Sequence, residues 1–428
     1  MRRLTDPAAF FGELAPGASV VVHSGFAEPP LLTRQLAAQA TALDRVQVLT
    51  LMPMGDAPYA SEAATAHLDV ATFLPGRCLR AAVGEGRARA LRYPLSRIPG
   101  LFERRELKAD VVLLQVSPPD ADGQVSLGIS VDYMRAVLAQ SPIVVAEINP
   151  RMPRTFGDAA LPVSDIDFFV DGAEPVLEAA PAQADDVDRR IASHVAALIE
   201  DGAVLQVGIG SLPDQVLAQL GHLKHLGLHS GIVSDGIRPL IEAGVVDNST
   251  KKRFAGVSVT AMAGGTRGFY DFVHRNRAIE FHPCSITHDA GVLQAIDGLC
   301  AINSALQVDL SGRANAEQAN GRLISLPGGL PDFAAAATRA RRGNSIIALR
   351  SSFASGAHSN IVARLGDGVP VTVGPGEIDF VVTEYGVAPI RDAAPSRRAA
   401  ALLAIAHPAH RESLQHEFAQ RVRSEPGR

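Results

Sequence analysis

Short apolar runs rich in β-branched residues alternate along the chain with longer segments of mixed polarity. In the first half these runs are apolar at successive positions, which is typical of strands buried on both faces of a parallel sheet. This alternation predicts an α/β architecture. The strands are predicted at residues 19–23, 46–51, 111–116 and 143–147, and the helices at residues 33–40 and 134–139.

A change in composition divides this pattern near its middle. Residues 179–188 are acidic and rich in alanine, which is typical of a linker, and an amphipathic helix is predicted over residues 189–201. We therefore predict two α/β domains with largely parallel sheets, residues 1–185 and residues 186–428. The second domain has predicted strands at residues 204–207, 279–281, 306–309, 322–326, 345–349 and 380–383, and C-terminal helices at residues 396–405 and 408–421.

Composition narrows the class of protein. The 428 residues are 47% apolar and 20% charged with a formal net charge of −5, which suits a globular protein and gives no indication of a nucleic-acid partner. Short basic clusters such as residues 251–253 are expected on a solvated face. No apolar run reaches the length of a signal sequence or a membrane span, so we expect no membrane association.

Cysteine usage indicates the compartment. The three cysteines are too few and too scattered for a disulfide framework or a zinc site. We therefore expect a reducing, cytoplasmic location and no bound metal.

Two glycine-containing turns are candidate ligand contacts. A predicted strand runs into Gly208, Ile209 and Gly210 just before a predicted helix, and Gly328 and Gly329 repeat this arrangement. Glycines in such turns allow backbone N–H groups to approach an oxyanion or a phosphate, and the helix N-terminus adds a favourable dipole. A plain tight turn is the alternative at both places.

Two polar segments contain side chains that can take part in catalysis. Residues 228–236 predict a loop of small polar residues that leads into a helix, and His229 within it is either a site residue or a buried core histidine. Further along the chain, Glu280, Cys284 and His288 fall close together. A cysteine near a histidine can be a nucleophile of low pKa, although most such cysteines are packing residues.

Seven motifs are spread along nearly the whole chain. They are MGDAPY at 54–59, VSPPDADG at 116–123, EINPRMPRT at 147–155, AINSALQVDLSG at 301–312, GGLPDF at 328–333, VTEYGVA at 382–388 and IAHPAHR at 405–411. Together they resemble the acetyl-CoA hydrolase/transferase family, which includes 4-hydroxybutyrate, butyrate and succinate:acetate CoA-transferases.

This resemblance implies a fold and a reaction. The fold is two tandem CoA-transferase-type α/β domains, the C-terminal one of the acetyl-CoA hydrolase/transferase type, with the active site in the cleft between them. The substrate is a coenzyme A thioester, no cofactor is bound permanently, and the assembly is a homodimer or a larger homo-oligomer. Family enzymes work by ping-pong transfer, in which a glutamate carboxylate attacks the acyl-CoA and becomes a glutamyl thioester.

The same resemblance assigns roles to the glycines. The turn formed by Gly208, Ile209 and Gly210 would bind the oxyanion and the thioester, and Gly328 and Gly329 would contact coenzyme A.

Three positions depart from the family pattern. The family glutamate lies in a His-Thr-Glu-Met-like segment before Ser-Asp-Gly, and Gly231 occupies its place here. In the family's Pro-Val-Asp-Tyr-Val-Asn-Asp segment, His288 replaces the asparagine and Ser285 replaces the earlier carboxylate. Because glycine cannot form the thioester while the scaffold motifs are intact, the sequence predicts altered chemistry.

The candidate catalytic residues are therefore His288, Ser285, Cys284, Glu280 and His229. An imidazole at His288 could act as a general base on water or on an amine or alcohol acceptor, while the glycine turn stabilises the oxyanion. A structural hydrogen-bonding role for His288 is the alternative. Loss of the side chain at Gly231 would leave room for another substrate.

Three functions follow as alternatives. The first is an enzyme that hydrolyses an acyl-CoA, or transfers its acyl group to a small acceptor, without a glutamyl-CoA intermediate. The second is a CoA-transferase with a substitute nucleophile such as Glu280 or Cys284. The third is a non-catalytic acyl-CoA-binding protein.

Overall fold

Two large β-sheets organise the protein. The structure, a computed structural model, describes residues 1–180 and 183–424. Within them the first sheet contains eight strands, all parallel. In spatial order these strands are Arg2–Arg3, Phe168–Asp171, Ile143–Ile148, Val111–Val116, Ser19–Val22, Val46–Thr50, Leu68–Thr72 and Ala88–Ala90.

The second sheet contains nine strands, and only Gly386–Pro389 at its edge is antiparallel to its neighbour among the described residues. Phe156–Gly157 from the first half of the chain forms the opposite edge. In spatial order the strands are Gly386–Pro389, Phe380–Thr383, Asn344–Ala348, Leu299–Ser304, Val204–Val207, Gly227–Val233, Ser258–Ala263, Ile279–Phe281 and Phe156–Gly157.

Helices supply most of the connections that parallel strands need. In the first half they are Pro7–Gly12, Pro30–Ala38, Glu62–Thr65, Gly76–Gly84, Ile98–Glu103 and Met134–Leu138. In the second half they are Asp186–Ala196, Ser211–Ala218, Arg238–Glu242, Arg267–Val273, Cys284–Thr287, Ala290–Gln294, Leu330–Ala337, Pro395–Ile405 and Arg411–Ser424. None of the helices in the described residues is long and apolar enough to cross a bilayer.

Short strands complete the fold outside the two large sheets. They pair as Gln124–Ser126 with Ala160–Pro162, Gln307–Asp309 with Ala314–Asn315 and Ile361–Val362, Gln318–Ala319 with Arg322–Leu323, and Ser352–Phe353 with His358–Ser359.

The two halves of the chain share one packed core. The largest cluster of buried apolar side chains includes Leu51 and Phe73, which directly follow strands of the first sheet, together with Leu205, Val233 and Met262 from the second. Because parallel strands all end at one edge of their sheet, this core brings the carboxyl ends of strands from both sheets together. Ligands of α/β proteins bind at such edges.

The predicted α/β class with largely parallel sheets is confirmed. The four strands predicted in the first half are present, and their ends agree to within one residue. The predicted strand at residues 322–326 is only partly correct, since Arg322–Leu323 forms a short hairpin with Gln318–Ala319 outside the main sheet. The boundary between residues 185 and 186 stays a prediction.

The predicted helix at 189–201 begins earlier than expected, at Asp186, and ends at Ala196. The Asp185 carboxylate accepts hydrogen bonds from the N–H groups of Val187 and Asp188, both at 3.0 Å, so it caps the helix inside the stretch interpreted as linker. Residues 181–182 of that stretch lie outside the described residues.

The polar loop predicted at residues 228–236 is wrong for most of its length. Gly227–Val233 is a central strand of the second sheet, with parallel neighbours on both sides. Its polar side chains are tolerated inside because they are paired: the Ser230 hydroxyl donates to the carbonyl oxygen of Val207 at 2.8 Å.

The solvated face expected for residues 251–253 is wrong for Lys251, which is only 5% exposed. Its ammonium group donates to the carbonyl oxygens of Leu228 at 2.9 Å and Val257 at 2.6 Å, so it attaches the central strand to the loop that follows. Burial lowers the pKa of Lys251 to about 7.

We predict that Lys251 makes the stability of the protein depend on pH. Between pH 7 and the ordinary lysine pKa the unfolded chain binds more protons at this position than the folded one, so stability rises with pH. From pH 7 to pH 9 the free energy of unfolding of the wild type should increase by about 2 kcal/mol relative to Lys251→Met. Urea unfolding at both pH values measures this difference. Lys252→Met, at an exposed neighbour, should keep the wild-type pH dependence; the same loss in both variants would contradict the assignment.

Candidate active site

A cavity lies between the carboxyl ends of the two sheets. It has a volume of about 160 Å³ and a largely apolar wall. Its lining residues are Leu51, Met52, Leu74 and Leu95 from the first half and Gln206, Val207, Gly208, Ile209, Gly231, Ile232, Met262, His288, Asn303, Gly329, Leu330 and Phe333 from the second. No Asp or Glu is among these lining residues, within the described part of the chain.

His288 is the one histidine among these lining residues of the described chain. It follows the short helix Cys284–Thr287, is 1% exposed, and stands edge-on to the Phe333 ring at 4.9 Å. Its Nδ1 lies 2.8 Å from Oγ1 of Thr287, whose hydroxyl reaches the carbonyl oxygen of Pro283 at 3.3 Å.

These contacts favour one tautomer of His288. If the Thr287 hydroxyl donates to the carbonyl, it accepts from Nδ1–H, and the lone pair of the ring is then on Nε2. Nε2 is buried and has no hydrogen-bond partner in the protein. Burial lowers the pKa of His288 to about 3, so the ring is neutral at pH 7.

Two glycines make room for this ring. A Cβ at Gly231 would lie 2.7 Å from Nε2 of His288, and a Cβ at Gly329 would lie 2.6 Å from the same atom. Both distances are well below van der Waals contact. The imidazole therefore fills the space that side chains at these two positions would occupy, and residues 231 and 288 form one packing unit.

The turn of Gly208, Ile209 and Gly210 faces open space. It joins the strand Val204–Val207 to the helix Ser211–Ala218, and a Cβ at either glycine would meet no atom within 4 Å. Gly210 has a φ of 126°, which favours glycine. The turn therefore has open space beside it, and its contact with a ligand stays a prediction.

A second and larger cavity of about 500 Å³ adjoins the first, and the two share Met52, Leu74 and Ile209 as lining residues. The exposed side chains of Arg77 and Arg80 line this second cavity, and so do the carboxylates of Asp214 and Asp235. The glycine turn thus lies at the junction between an apolar cavity and a more open one that contains charges of both signs.

Gly328 and Gly329 lie where the halves of the chain meet. The carbonyl oxygen of Gly328 accepts a hydrogen bond from the N–H of Leu95 at 2.9 Å, and Gly329 is the N-cap of the helix Leu330–Ala337. One oxygen of the Asp332 carboxylate in that helix accepts from the Ser96 hydroxyl at 2.6 Å. These contacts hold the first-half wall of the cavity against the helix.

The other candidate catalytic residues lie outside the cavity lining. Cys284 is buried, and burial raises the pKa of its thiol well above the ordinary value. Ser285 is exposed on the surface of its helix. The Glu280 carboxylate lies 2.9 Å from Nε2 of His282. His229 is fully buried with Nε2 at 3.0 Å from the carbonyl oxygen of Thr287, so it supports the segment that carries His288.

Gln206 and Asn303 are polar lining residues that the sequence analysis missed. They lie on the neighbouring strands Val204–Val207 and Leu299–Ser304, and the Asn303 amide donates to Oε1 of Gln206 at 2.8 Å. A polar residue near the carboxyl end of an otherwise apolar strand is the signal that could have indicated them. The leucines from the first half carry no comparable signal.

We predict a steric coupling between positions 231 and 288. Gly231→Ala should lower the free energy of unfolding by about 1–3 kcal/mol, because the new methyl group overlaps the His288 ring. In a His288→Ala background the same substitution should cost at least about 1 kcal/mol less. Urea unfolding of the four chains gives this coupling energy. Gly208→Ala, which meets open space, is the matched control and should change stability by less than about 1 kcal/mol; additive effects at 231 and 288 would refute the coupling.

Comparison with known proteins agrees with this geometry. The model of the acetyl-CoA hydrolase/transferase N-terminal domain matches residues 1–178, and that of the C-terminal domain of the same family matches residues 265–418. A 4-hydroxybutyrate coenzyme A transferase of Clostridium kluyveri is 39% identical over 402 residues, with 94% of each chain covered. A succinyl-CoA:acetate/propanoyl-CoA:succinate CoA transferase of Fasciola hepatica is 34% identical, covering 97% of this chain and 87% of its own length.

Among solved structures, that of RipA from Yersinia pestis superimposes with a TM-score of 0.93 at 29% identity and covers 98% of both chains. The family matches cover more than half of the chain, and the similarity of fold extends over nearly all of it. The chain is therefore a member of the acetyl-CoA hydrolase/transferase family.

Proposed function

We propose that this protein acts on an acyl-CoA by direct attack of water or a small acceptor on the thioester, without a glutamyl-CoA intermediate. The observation that carries the proposal is a cavity lined by a neutral histidine with an unpartnered Nε2 and, among the described residues, by no carboxylate. A carboxylate nucleophile would have to come from the adjoining cavity, which Asp214 and Asp235 line, whereas His288 lies in the wall itself.

The proposed step uses one base and one oxyanion site. Nε2 of His288 accepts the proton of the attacking O–H or N–H group as its oxygen or nitrogen bonds to the thioester carbonyl carbon. The backbone N–H groups of the turn at Gly208–Gly210 stabilise the tetrahedral oxyanion. The C–S bond then breaks, and the imidazolium returns the proton to the departing CoA sulfur.

The two adjoining cavities suggest how the substrate is arranged. The acyl group would lie in the cavity with His288, and the thioester would lie at the glycine turn. The rest of coenzyme A would extend through the larger cavity, where the guanidinium groups of Arg77 and Arg80 suit phosphate groups.

A CoA-transferase with a substitute nucleophile is the second candidate, favoured by the names of the relatives. It draws less support from the site, because the Cys284 thiol is buried with a raised pKa and Glu280 lies outside the cavity lining. We also propose a homodimer or larger homo-oligomer and a cytoplasmic location.

Thiol release and protein mass together distinguish these functions. The protein is incubated with a panel of acyl-CoA thioesters, with and without acetate and amine acceptors, and free thiol and intact protein mass are followed. Thiol release with no covalent adduct supports direct attack. An adduct on Glu280 or Cys284 would support the substitute nucleophile, and tight binding with neither would support a binding protein.

We predict that His288→Ala lowers kcat/KM for thiol release about 10–10²-fold, less than a general base usually contributes, because a base with a pKa of about 3 is a weak proton acceptor. The dissociation constant for the acyl-CoA, measured by calorimetry, should change much less, because the ring is not proposed to hold the substrate. His222→Ala, at an exposed histidine outside both cavities, is the control and should keep full activity. Full turnover by His288→Ala would make the base assignment wrong.

We also predict an unusual pH profile. Because burial lowers the pKa of His288 to about 3, the ring stays neutral as the pH falls from 8 to 5 and kcat/KM should change by less than about twofold. A histidine base with the ordinary pKa of about 6.5 would lose roughly thirtyfold over the same range. Initial rates at fixed ionic strength measure the profile, and a fall with a midpoint near pH 6.5 would contradict it.

A further inference from the structure

We infer that the acyl group taken by the cavity beside His288 is an unsubstituted hydrocarbon chain, and not a dicarboxylic or hydroxylated acyl group. This inference rests on the proposed function and names its substrate class. The cavity is walled by Leu51, Leu95, Ile232, Met262, Leu330 and Phe333, which come from both halves of the chain.

An acyl carboxylate would find no cation in this wall. No Lys or Arg is among the cavity's lining residues in the described chain, and Arg77 and Arg80 line the adjoining cavity instead. The His288 ring cannot replace them, since burial keeps it neutral. Transfer of an unpaired carboxylate from water into an apolar site is strongly unfavourable.

An acyl hydroxyl would also find its partners engaged. The two amide side chains of the wall hydrogen-bond to each other, with Nδ2 of Asn303 at 2.8 Å from Oε1 of Gln206. Nε2 of His288 has to remain free for the attacking group in the proposed step. Besides Nε2, the remaining N–H and lone pair of each amide are the only side-chain partners for a hydroxyl among the described residues, because the other lining side chains are apolar.

The volume favours a chain longer than acetyl. The cavity of about 160 Å³ is larger than a two-carbon group needs, so acetyl would leave part of the apolar wall in contact with water. Each added methylene that replaces water against this wall should improve binding about fourfold, until the chain fills the cavity.

A matched series of four-carbon thioesters tests the terminal group. Butyryl-CoA, 4-hydroxybutyryl-CoA and succinyl-CoA differ only in ending in a methyl group, a hydroxymethyl group or a carboxylate. We expect kcat/KM for butyryl-CoA to exceed that for 4-hydroxybutyryl-CoA at least tenfold and that for succinyl-CoA at least a hundredfold. Equal or greater turnover of either polar substrate would overturn the inference.

Binding of inert thioethers separates this inference from the proposed function. The dissociation constants of S-butyl-CoA, S-hexyl-CoA and S-(3-carboxypropyl)-CoA can be measured by calorimetry without any turnover. Tighter binding of the alkyl analogues with no thiol release from any thioester would support the inference and reject the proposed reaction. Thiol release with no preference for alkyl groups would do the reverse.

A wall variant tests whether this cavity is the acyl site. Leu95→Trp should fill part of it and lower kcat/KM for hexanoyl-CoA at least tenfold, while acetyl-CoA should lose less than threefold. Leu91→Trp, at a partly buried leucine outside the lining, is the matched control and should affect both substrates alike. Melting temperatures show that both variants fold; if a folded Leu95→Trp keeps the chain-length preference, the inference fails.

Discussion

The position of the His288 ring depends on two residues that have no side chain. Gly231 lies in a central strand and Gly329 caps a helix, and a Cβ at either would come within 2.7 Å of the same ring nitrogen. The Phe333 ring contacts the imidazole at 4.9 Å between centroids. The strand, the helix N-terminus and the imidazole therefore fit together because residues 231 and 329 are glycines. The same packing leaves Nε2 of His288 without a hydrogen-bond partner in the protein.

That atom is held in place by a short polar chain. Thr287 contacts both histidines. Its carbonyl oxygen lies 3.0 Å from Nε2 of His229, and the hydroxyl oxygen of Thr287 lies 2.8 Å from Nδ1 of His288. Burial lowers the pKa of both histidines to about 3, so neither carries charge at neutral pH. Buried polar atoms without a partner are uncommon in folded proteins, and Nε2 of His288 is one, in a residue that lines a cavity. In the proposed reaction the attacking group would be its partner.

Sequence patterns predicted the parts of the fold that depend on local chemistry. Continuous apolar runs such as Val111–Val116 are strands because both faces are buried, and the turn at Gly208–Gly210 joins a strand to a helix as its glycines indicate. The strand Gly227–Val233 was missed because its His and Ser side chains look like those of a loop. Nε2 of His229 and the Ser230 hydroxyl pair with groups far away in the sequence, which the local pattern cannot indicate.

The contacts that form the cavity also could not be predicted from local sequence patterns. Position 231 was recognised as different from the family, but the contact between Gly231 and His288 joins residues whose proximity depends on how the sheet is assembled. The wall leucines at positions 51 and 95 are ordinary apolar residues in the sequence and acquire meaning only when the two halves meet. Lys251 looks like part of a surface cluster, yet two backbone carbonyls hold its ammonium group inside.

Gly231 and His288 depend on each other sterically. A glutamate introduced at position 231 would meet the His288 ring at less than 3 Å from its first side-chain carbon. A small residue introduced at 288 would instead leave a void beside two glycines, at a cost of about 2–5 kcal/mol if the site cannot collapse. A change at either position alone is therefore unfavourable, and a glutamate could be accommodated at 231 only together with a smaller side chain at 288.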